Sequence, residues 1–268
     1  IHNAHVVQHL EQLGAHQVAG PEEIRPGDTV LIRAHGEKKQ VIGHLKDIGA
    51  ECVDATCPNV LRVQQIVAQA DAEGRVPIII GDPNHPEVMG VASWSARSVV
   101  FEGAETLQRW LDEDPARREL PLTAVAQTTC IRIIWDGAAE ILKKQCTNAK
   151  IFDTICNATH KRQSEAAELA SQVDVMVVVG DRKSANTKHL TEICSRQCPA
   201  VYQIERAEEL KRDFLTGCSV AGLTAGASTP AGIIKEVYTT MSEEIKTMEP
   251  TEESFEEMLE KSFKTLNT

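Results

Sequence analysis

Two cysteines in similar surroundings are the first residues whose chemistry stands out. Cys57 lies in the segment DATCPN and Cys156 in DTICNAT, and each precedes a stretch with helical spacing. Thiolates at the beginning of a helix lose their proton easily and are soft ligands, suited to an iron–sulfur cluster or to zinc. Their separation of 99 residues matches no zinc-finger pattern, and a single Cys is more often buried and inert, so spacing alone leaves both interpretations open.

A second group of residues has the chemistry to hold a phosphate. His35 in RAHGE, Ser184 and Asn186 in DRKSAN, and Ser228 in TAGASTP offer N–H and O–H donors with few Lys or Arg nearby. Backbone amides in these turns would add to them, without the Walker or GxGxxG loops that the chain lacks. Taken singly, each is more often a turn or cap residue.

Proton transfer is the chemistry of a third group. His85 and Glu87 flank Pro86, and the acid would be placed to protonate a leaving hydroxyl. The alternative is an exposed loop acid.

The elements that must position these groups are predicted from apolar periodicity. Runs rich in Val and Ile predict buried strands at Thr29–Arg33, Val76–Ile80, Leu122–Ala126, Val175–Val179, Val201–Ile204 and Ser219–Leu223. Amphipathic spacing predicts helices over 60–72 and 160–171. The pattern favours an α/β fold with parallel sheets, in which ligands collect at the carboxyl ends of the strands, where all three groups lie.

An internal repeat strengthens the thiol prediction. A gapless offset of 99 pairs Cys57 with Cys156, Asp54 with Asp153, Gln64 with Gln163, and Gly81 with Gly180. A third, degenerate copy ends at His35 and Gly36, which predicts three pseudo-symmetric α/β lobes. Three symmetry-related thiols would hold a cluster and leave one iron open to substrate. The alternative is chance similarity between two βα units.

Composition narrows the class of protein. The chain has 268 residues and a net charge of −11, with 42% hydrophobic and 25% charged residues, which excludes a disordered or collagen-like chain. The acidic balance argues against nucleic-acid binding, and the apolar runs are too short for a membrane span. Eight Cys without a secretory signal favour reduced thiols in the cytoplasm.

We expect four segments along the chain. These are a first lobe over 1–57, a second over 58–154, a third over 155–240, and an acidic tail or linker over 241–268. Because the chain starts at Ile1 without Met, we expect a fragment whose first lobe is cut short.

Eight short motifs in order carry a family resemblance: HN, AHG, DATCP, NHPEV, QTT, DTICNAT-x-x-RQ, KSAN and TAGAST. From Ile1 to about Val237 the chain resembles the LytB/IspH family of 4-hydroxy-3-methylbut-2-enyl diphosphate reductases. The resemblance implies a three-lobed trefoil around a [4Fe-4S] cluster held by three Cys. It also implies the last step of the methylerythritol phosphate route, in which an allylic hydroxyl is removed reductively to give isopentenyl and dimethylallyl diphosphates.

The resemblance assigns roles residue by residue. Cys57 and Cys156 look like two cluster ligands, and the third is expected upstream of Ile1 in a GFCxGV-type motif. Glu87 looks like the proton relay acid. The residues expected around the substrate hydroxyl are His85, Gln127 and Thr128. Those expected around the diphosphate are His2, His35, Ser184, Ala185, Asn186 and Ser228, where Ala185 replaces a Ser that is common in the family.

The resemblance also implies partners. The electron donor would be of the ferredoxin or flavodoxin type, and the tail is similar to the acidic lead-in of a fused S1-type domain. That domain is not in this chain, so we predict no nucleic-acid binding and no membrane binding for the chain. Two alternatives stay open here: a non-catalytic phosphometabolite-binding α/β module and a structural zinc protein.

Overall fold

Parallel strands in three sheets form the framework of the protein in a computed structural model. The structure describes residues 4–248, so the predicted site residue His2 and residues 249–268 of the predicted tail (241–268) lie outside the described residues. The predicted α/β class with parallel sheets is confirmed. Packing divides the chain into two compact units, one up to Glu165 and one from Ala166 onward. The predicted lobe boundaries remain predictions.

Nine strands and nine α-helices cover the described residues, together with four short 3-10 helices. The strands are β1 (Thr29–Ile32), β2 (Glu51–Asp54), β3 (Val76–Ile80), β4 (Val99–Phe101), β5 (Leu122–Ala126), β6 (Ala149–Ile151), β7 (Val175–Val179), β8 (Ala200–Ile204) and β9 (Ala221–Ala225). The helices are α1 (Ala4–Gln12), α2 (Lys39–Asp47), α3 (Pro58–Ala72), α4 (Pro86–Ala92), α5 (Ala104–Glu113), α6 (Arg132–Gln145), α7 (Asn157–Ala170), α8 (Ala185–Ser195) and α9 (Ala231–Met248). The 3-10 helices are Pro21–Glu23, Pro115–Glu119, Ala207–Glu209 and Arg212–Phe214.

The largest sheet lies in the first unit and has the strand order β4-β3-β5-β6. Side chains alternate across it, so that Ile78 and Ile80 face the helices α5 and α6, whereas Ile79 and Val125 face α3 and α4. Both faces are therefore covered, which is why β3 and β5 are almost continuously apolar. This packing fixes the two strand ends that carry the predicted acid and Gln127–Thr129.

A smaller sheet in the same unit pairs β1 with β2, in the register Thr29↔Glu51 to Ile32↔Asp54. Ile32 is buried, whereas Leu31 and Val53 lie opposite each other and are 55% and 48% exposed. One face of this sheet thus carries an exposed apolar pair, Leu31 and Val53, next to the polar pair Thr29 and Glu51. The strand ends lead into the turns that carry His35 and Cys57.

The second unit contains a sheet of order β8-β7-β9. Val175, Val177 and Val179 pack towards α9, and Met176 and Val178 pack against α7 and α8. The ladder from β7 to β9 begins at Val175↔Ala221, and the ladder from β3 to β5 begins at Val76↔Leu122. Val175 lies 99 positions after Val76, and Ala221 lies 99 positions after Leu122. The two copies of the sequence repeat therefore share their strand register.

Strand predictions were accurate where both faces are buried and less so elsewhere. The predicted β3, β5 and β7 have the observed bounds, but the last strand is Ala221–Ala225 rather than Ser219–Leu223. The backbone N–H groups of Ser219 and Val220 both donate to the Asp174 carboxylate, at 2.8 and 3.0 Å, so they cap the strand instead of joining the ladder. The short strands β2, β4 and β6 were not predicted.

Candidate active site

The two predicted ligand cysteines lie in closely similar turns. Asp54 and Asp153, each three residues before its Cys, accept a hydrogen bond from the backbone N–H two residues further on, at 2.9 Å from Thr56 and 3.2 Å from Ile155. Each turn delivers a half-buried thiol to the beginning of a helix, α3 after Cys57 and α7 after Cys156. The prediction that both thiols precede a helix is confirmed.

Backbone hydrogen bonds tie each cysteine to a second loop. The N–H of Cys57 donates to the carbonyl of Ala34 at 3.0 Å, which places this turn beside the His35 loop. The N–H of Cys156 donates to the carbonyl of Thr128 at 2.9 Å. The two thiol turns are therefore bonded to the His35 loop and to the Thr128 loop of the first unit.

Asn59 links the two cysteine turns directly. Its side-chain Nδ2 donates to Cys156 Sγ at 3.2 Å, although Asn59 belongs to the first turn of α3, two residues after Cys57. The Cys156 sulfur consequently faces the beginning of the helix that follows the other thiol. No sequence pattern singled out Asn59, because the repeat places Ala158 at the equivalent position.

His85 and Glu87 lie where β3 leads into α4. The His85 Nδ1 accepts the backbone N–H of Glu87 at 3.2 Å and so caps the helix. Because Nδ1 is the acceptor, the neutral ring carries its proton on Nε2. Glu87 is only 1% exposed, so the alternative of an exposed loop acid is wrong.

Thr128 holds the Glu87 carboxyl with two hydrogen bonds. The backbone N–H donates to Oε1 at 2.7 Å and the side-chain hydroxyl to Oε2 at 2.8 Å. Burial raises the pKa of Glu87 above its usual value, and the hydrogen bonds from Thr128 lower it by a smaller amount. A carboxyl whose pKa is raised holds its proton to a higher pH than an exposed one, which suits this side chain to proton transfer.

The His35 ring completes this group. It packs edge to face against His85, with ring centroids 5.3 Å apart and an interplanar angle of 86°. Gly36 turns the chain with a φ of +73°, and a Cβ there would lie 2.7 Å from Gln64 Nε2. Beyond the turn, the backbone N–H of Lys39 donates to Ser93 Oγ at 2.9 Å, which ties this loop to the end of α4.

Gln127 occupies a different position from its neighbour Thr128. Its Oε1 accepts the backbone N–H of Asp82 at 3.1 Å, and its Nε2 donates to Thr129 Oγ1 at 3.1 Å. The side chain is 2% exposed and joins the ends of β3 and β5. Gln127 thus connects the loops that follow β3 and β5 by hydrogen bonds. Its expected contact with substrate stays a prediction.

The remaining predicted donors lie in the second unit. Ser184 caps α8 by accepting the N–H of Thr187 at 3.4 Å, and Ala185 is the first residue of that helix. Asn186 is 4% exposed, and neither its Oδ1 nor its Nδ2 has a hydrogen-bond partner in the described structure. An amide buried without partners is costly, so this position is suited to a polar ligand. Ser228 is exposed in the turn after β9.

Two of the other thiols, Cys130 and Cys194, are buried and poorly suited to bind a metal. Burial raises the pKa of Cys130 to about 12 and that of Cys194 to about 11, which keeps both protonated. Within residues 4–248, no three His, Cys, Asp or Glu side chains form a ready metal-binding group. Cys57 and Cys156 are half-buried and each lies at the beginning of a helix, so both thiols fit as ligands of a metal or iron–sulfur centre.

The fold and site together define a class: an α/β protein of parallel sheets, with paired thiols and a buried acid at the loop ends of its first unit. The chain belongs to the LytB protein family, whose model matches residues 1–242.

Curated relatives agree with this family. A 4-hydroxy-3-methylbut-2-enyl diphosphate reductase from Caldanaerobacter subterraneus subsp. tengcongensis is 39% identical over 257 residues, which covers 95% of this chain and 86% of the relative. A reductase of the same name from Clostridium perfringens strain SM101 is 38% identical over 247 residues, covering 91% and 85%.

Solved structures of the same enzyme are similar in fold. One, of (E)-4-hydroxy-3-methyl-but-2-enyl diphosphate reductase, the terminal enzyme of the non-mevalonate pathway, has a TM-score of 0.62 at 35% identity and covers 91% of this chain and 85% of that one. Another, the reductase of Plasmodium falciparum, has a TM-score of 0.84 at 25% identity, with 90% and 76% covered. No helix among residues 4–248 is long and apolar enough to span a membrane.

Proposed function

We propose that this chain is a 4-hydroxy-3-methylbut-2-enyl diphosphate reductase, an oxidoreductase that forms isopentenyl and dimethylallyl diphosphates. The prediction of this activity from the sequence is confirmed by the relatives and by the solved structures. The alternatives of a non-catalytic binding module and a structural zinc protein are not favoured, because every reported relative is named as this reductase.

One observation carries the chemistry. The buried Glu87 carboxyl meets the hydroxyl of Thr128, and the carbonyl of the same Thr128 accepts the N–H of Cys156. Thr128 thus connects the buried acid to the turn that carries the Cys156 thiol. Removing a hydroxyl reductively needs a proton source for the departing oxygen and a source of electrons; Glu87 would supply the proton, and Cys156 would help to hold the group that supplies the electrons.

The proposal also includes a cofactor, which rests on the family resemblance and on the two thiols. A [4Fe-4S] cluster supplies electrons one at a time when bound, and Cys57 and Cys156 would hold it. The third Cys, which the resemblance places before Ile1, is part of this proposal. We also propose a ferredoxin- or flavodoxin-type electron donor and a cytoplasmic location.

The residues of this chain would act on the substrate as follows. The residues that the family resemblance assigns to the diphosphate are His2, His35, Ser184, Ala185, Asn186 and Ser228. When Glu87 is protonated, the Thr128 hydroxyl would turn to accept that proton and give its own to the departing oxygen, so that the C–O bond breaks and water leaves. Two electrons and one further proton, delivered to either of two carbons, complete each product. His85 keeps Glu87 in place by capping α4.

The test uses the full-length protein, reconstituted anaerobically with iron and sulfide. We expect a brown species with about four irons per chain and turnover with a one-electron donor. Glu87→Gln should lower kcat by about 10²- to 10⁴-fold, as for loss of a general acid, with little change in iron content. The matched control is Glu105→Gln, whose side chain is 89% exposed. A colourless, iron-free protein, or full turnover with Glu87→Gln, would contradict the proposal.

A further inference from the structure

The hydrogen bond from Asn59 to Cys156 is the contact in this site that the reductase chemistry leaves without a role. The Nδ2 of Asn59 lies 3.2 Å from the sulfur, and the two residues are 97 positions apart in the chain. An N–H group that approaches a sulfur this closely is a charge-stabilising donor when the sulfur is a thiolate.

The fold does not require an Asn at this position. Asn59 is exposed in the first turn of α3, and the equivalent position after the second thiol is Ala158, which begins α7 equally well. Helix α3 already starts with Pro58 at its first position, and Leu61 donates to the Cys57 carbonyl at 3.0 Å. The amide is thus dispensable for starting the helix, and its main polar contact is the sulfur.

The geometry points to Asn59 as a positioning residue that tunes the redox centre of this chain. We infer that its amide holds the Cys156 sulfur in place and makes the bound iron–sulfur centre easier to reduce. The inference rests on the proposed function, since it assumes that Cys156 is a cluster ligand.

The physical basis is the charge that a cluster gains with an electron. Part of that negative charge spreads onto the ligand sulfurs, and N–H donors to those sulfurs stabilise the reduced form. Cys156 receives such a donor from a neighbouring turn, whereas no side chain in the described structure donates to Cys57 Sγ at hydrogen-bond distance. The two ligands would therefore differ in their share of the added charge.

The first experiment measures the reduction potential of the reconstituted full-length protein by EPR-monitored titration. For Asn59→Leu we expect the reduction equilibrium constant to fall about tenfold, which is about 59 mV for one electron. Asn59→Gln, which keeps an amide, should recover part of the shift. Asn157→Leu is the matched control, because Asn157 adjoins Cys156 but makes no hydrogen bond to its sulfur, and its potential should stay unchanged.

A second experiment tests the contact in the metal-free chain. In ¹⁵N NMR spectra we expect the Asn59 side-chain amide resonances to move when Cys156 is replaced in Cys156→Ala. An unshifted amide, or an unchanged potential for Asn59→Leu with a full complement of iron, would overturn the inference. Failure of the full-length protein to bind iron would contradict the proposed function and with it this role, even where the amide shift shows the contact.

Discussion

At the scale of single residues, the burial of Glu87 makes its protonation depend on the fold. Its carboxyl is enclosed by α4 and the end of β5, and both of its oxygens accept hydrogen bonds from one residue, Thr128. Burial outweighs those bonds and raises the pKa. The same property that suits the acid to proton transfer therefore costs stability whenever the side chain is ionised.

This cost predicts a pH-dependent effect of Glu87→Gln. Because the pKa is higher in the folded than in the unfolded protein, the contribution of Glu87 to stability is complete below the unfolded pKa of about 4.3 and is lost as pH rises through the folded pKa. Gln does not titrate, and Thr128 Oγ can turn to accept from its amide. The free energy of unfolding of Glu87→Gln minus that of the unchanged protein should increase from about pH 4 towards neutrality.

Urea unfolding at a series of pH values checks this difference. Glu105→Gln serves as the control, because its exposed carboxylate faces only an exposed Arg109 at 3.2 Å, and its difference should stay small and nearly flat. A flat difference for Glu87→Gln would show that Glu87 does not retain its proton in the fold.

The sequence identified the site residues His85 and Glu87, but it did not predict which residues they form hydrogen bonds with. His85 and Glu87 were found because they are close in the chain and flank Pro86. The bonds between Glu87 and Thr128 join residues 41 positions apart, and only the pairing of β3 with β5 brings them together. Asn59 was missed for the same reason, since its partner is 97 positions away.

At the scale of elements, the turn after β1 determines where His35 lies. Gly36 has a φ of +73°, a region that favours glycine, and an added Cβ would lie 2.7 Å from Gln64 Nε2 and 3.2 Å from Thr56 Cγ2. Both neighbours belong to the Cys57 turn or to the helix after it. The His35 loop therefore packs closely against the Cys57 turn at Gly36, because glycine has no side chain there.

Gly36→Ala should consequently destabilise the protein by about 1–2 kcal/mol, the usual cost of the left-handed region for a residue with a Cβ. Chemical denaturation measures this loss. Gly43→Ala is the control, since Gly43 lies within α2 with no atom within 4 Å of an added Cβ, and it should stabilise by up to about 1 kcal/mol. Equal effects of the two substitutions would contradict the proposed packing.

Element prediction succeeded where burial is complete. The cores of β3, β5 and β7 are apolar on both faces, and their bounds were predicted without error. β4 is apolar but has only three residues, β6 has three residues that include Lys150, and β2 carries Glu51 and Asp54, so none of them forms an apolar run of four or more. Such edge strands are set by their neighbours in the sheet and not by their own composition.

At the scale of the whole molecule, the two sheets of the first unit differ in how far residues 4–248 cover them. β5 lies between β3 and β6, whereas β1 pairs only with β2 in the described part of the chain. Val125, on the face of β5 covered by α3 and α4, is fully buried, while Leu31 and Val53 of the smaller sheet are exposed. We expect a further strand and its helices to cover that face, supplied by the segment proposed to carry the third Cys.

The comparison of the 268-residue chain with a version extended upstream tests this expectation. After anaerobic reconstitution, the extended protein should bind about four irons and the shorter chain far less. Binding of a dye that detects exposed apolar surface should fall on extension, as Leu31 and Val53 become covered. Equal iron content in the two proteins would contradict the placement of the third ligand.

The open side of β1 has a consequence for handling the protein. Its backbone N–H and C=O groups on the side away from β2 offer a template for another polypeptide, and the exposed Leu31 lies on the same strand. We expect copies of the 268-residue chain to associate along this edge as concentration rises. Leu31→Lys, which adds a charge to the edge strand, should then raise the solubility of the chain.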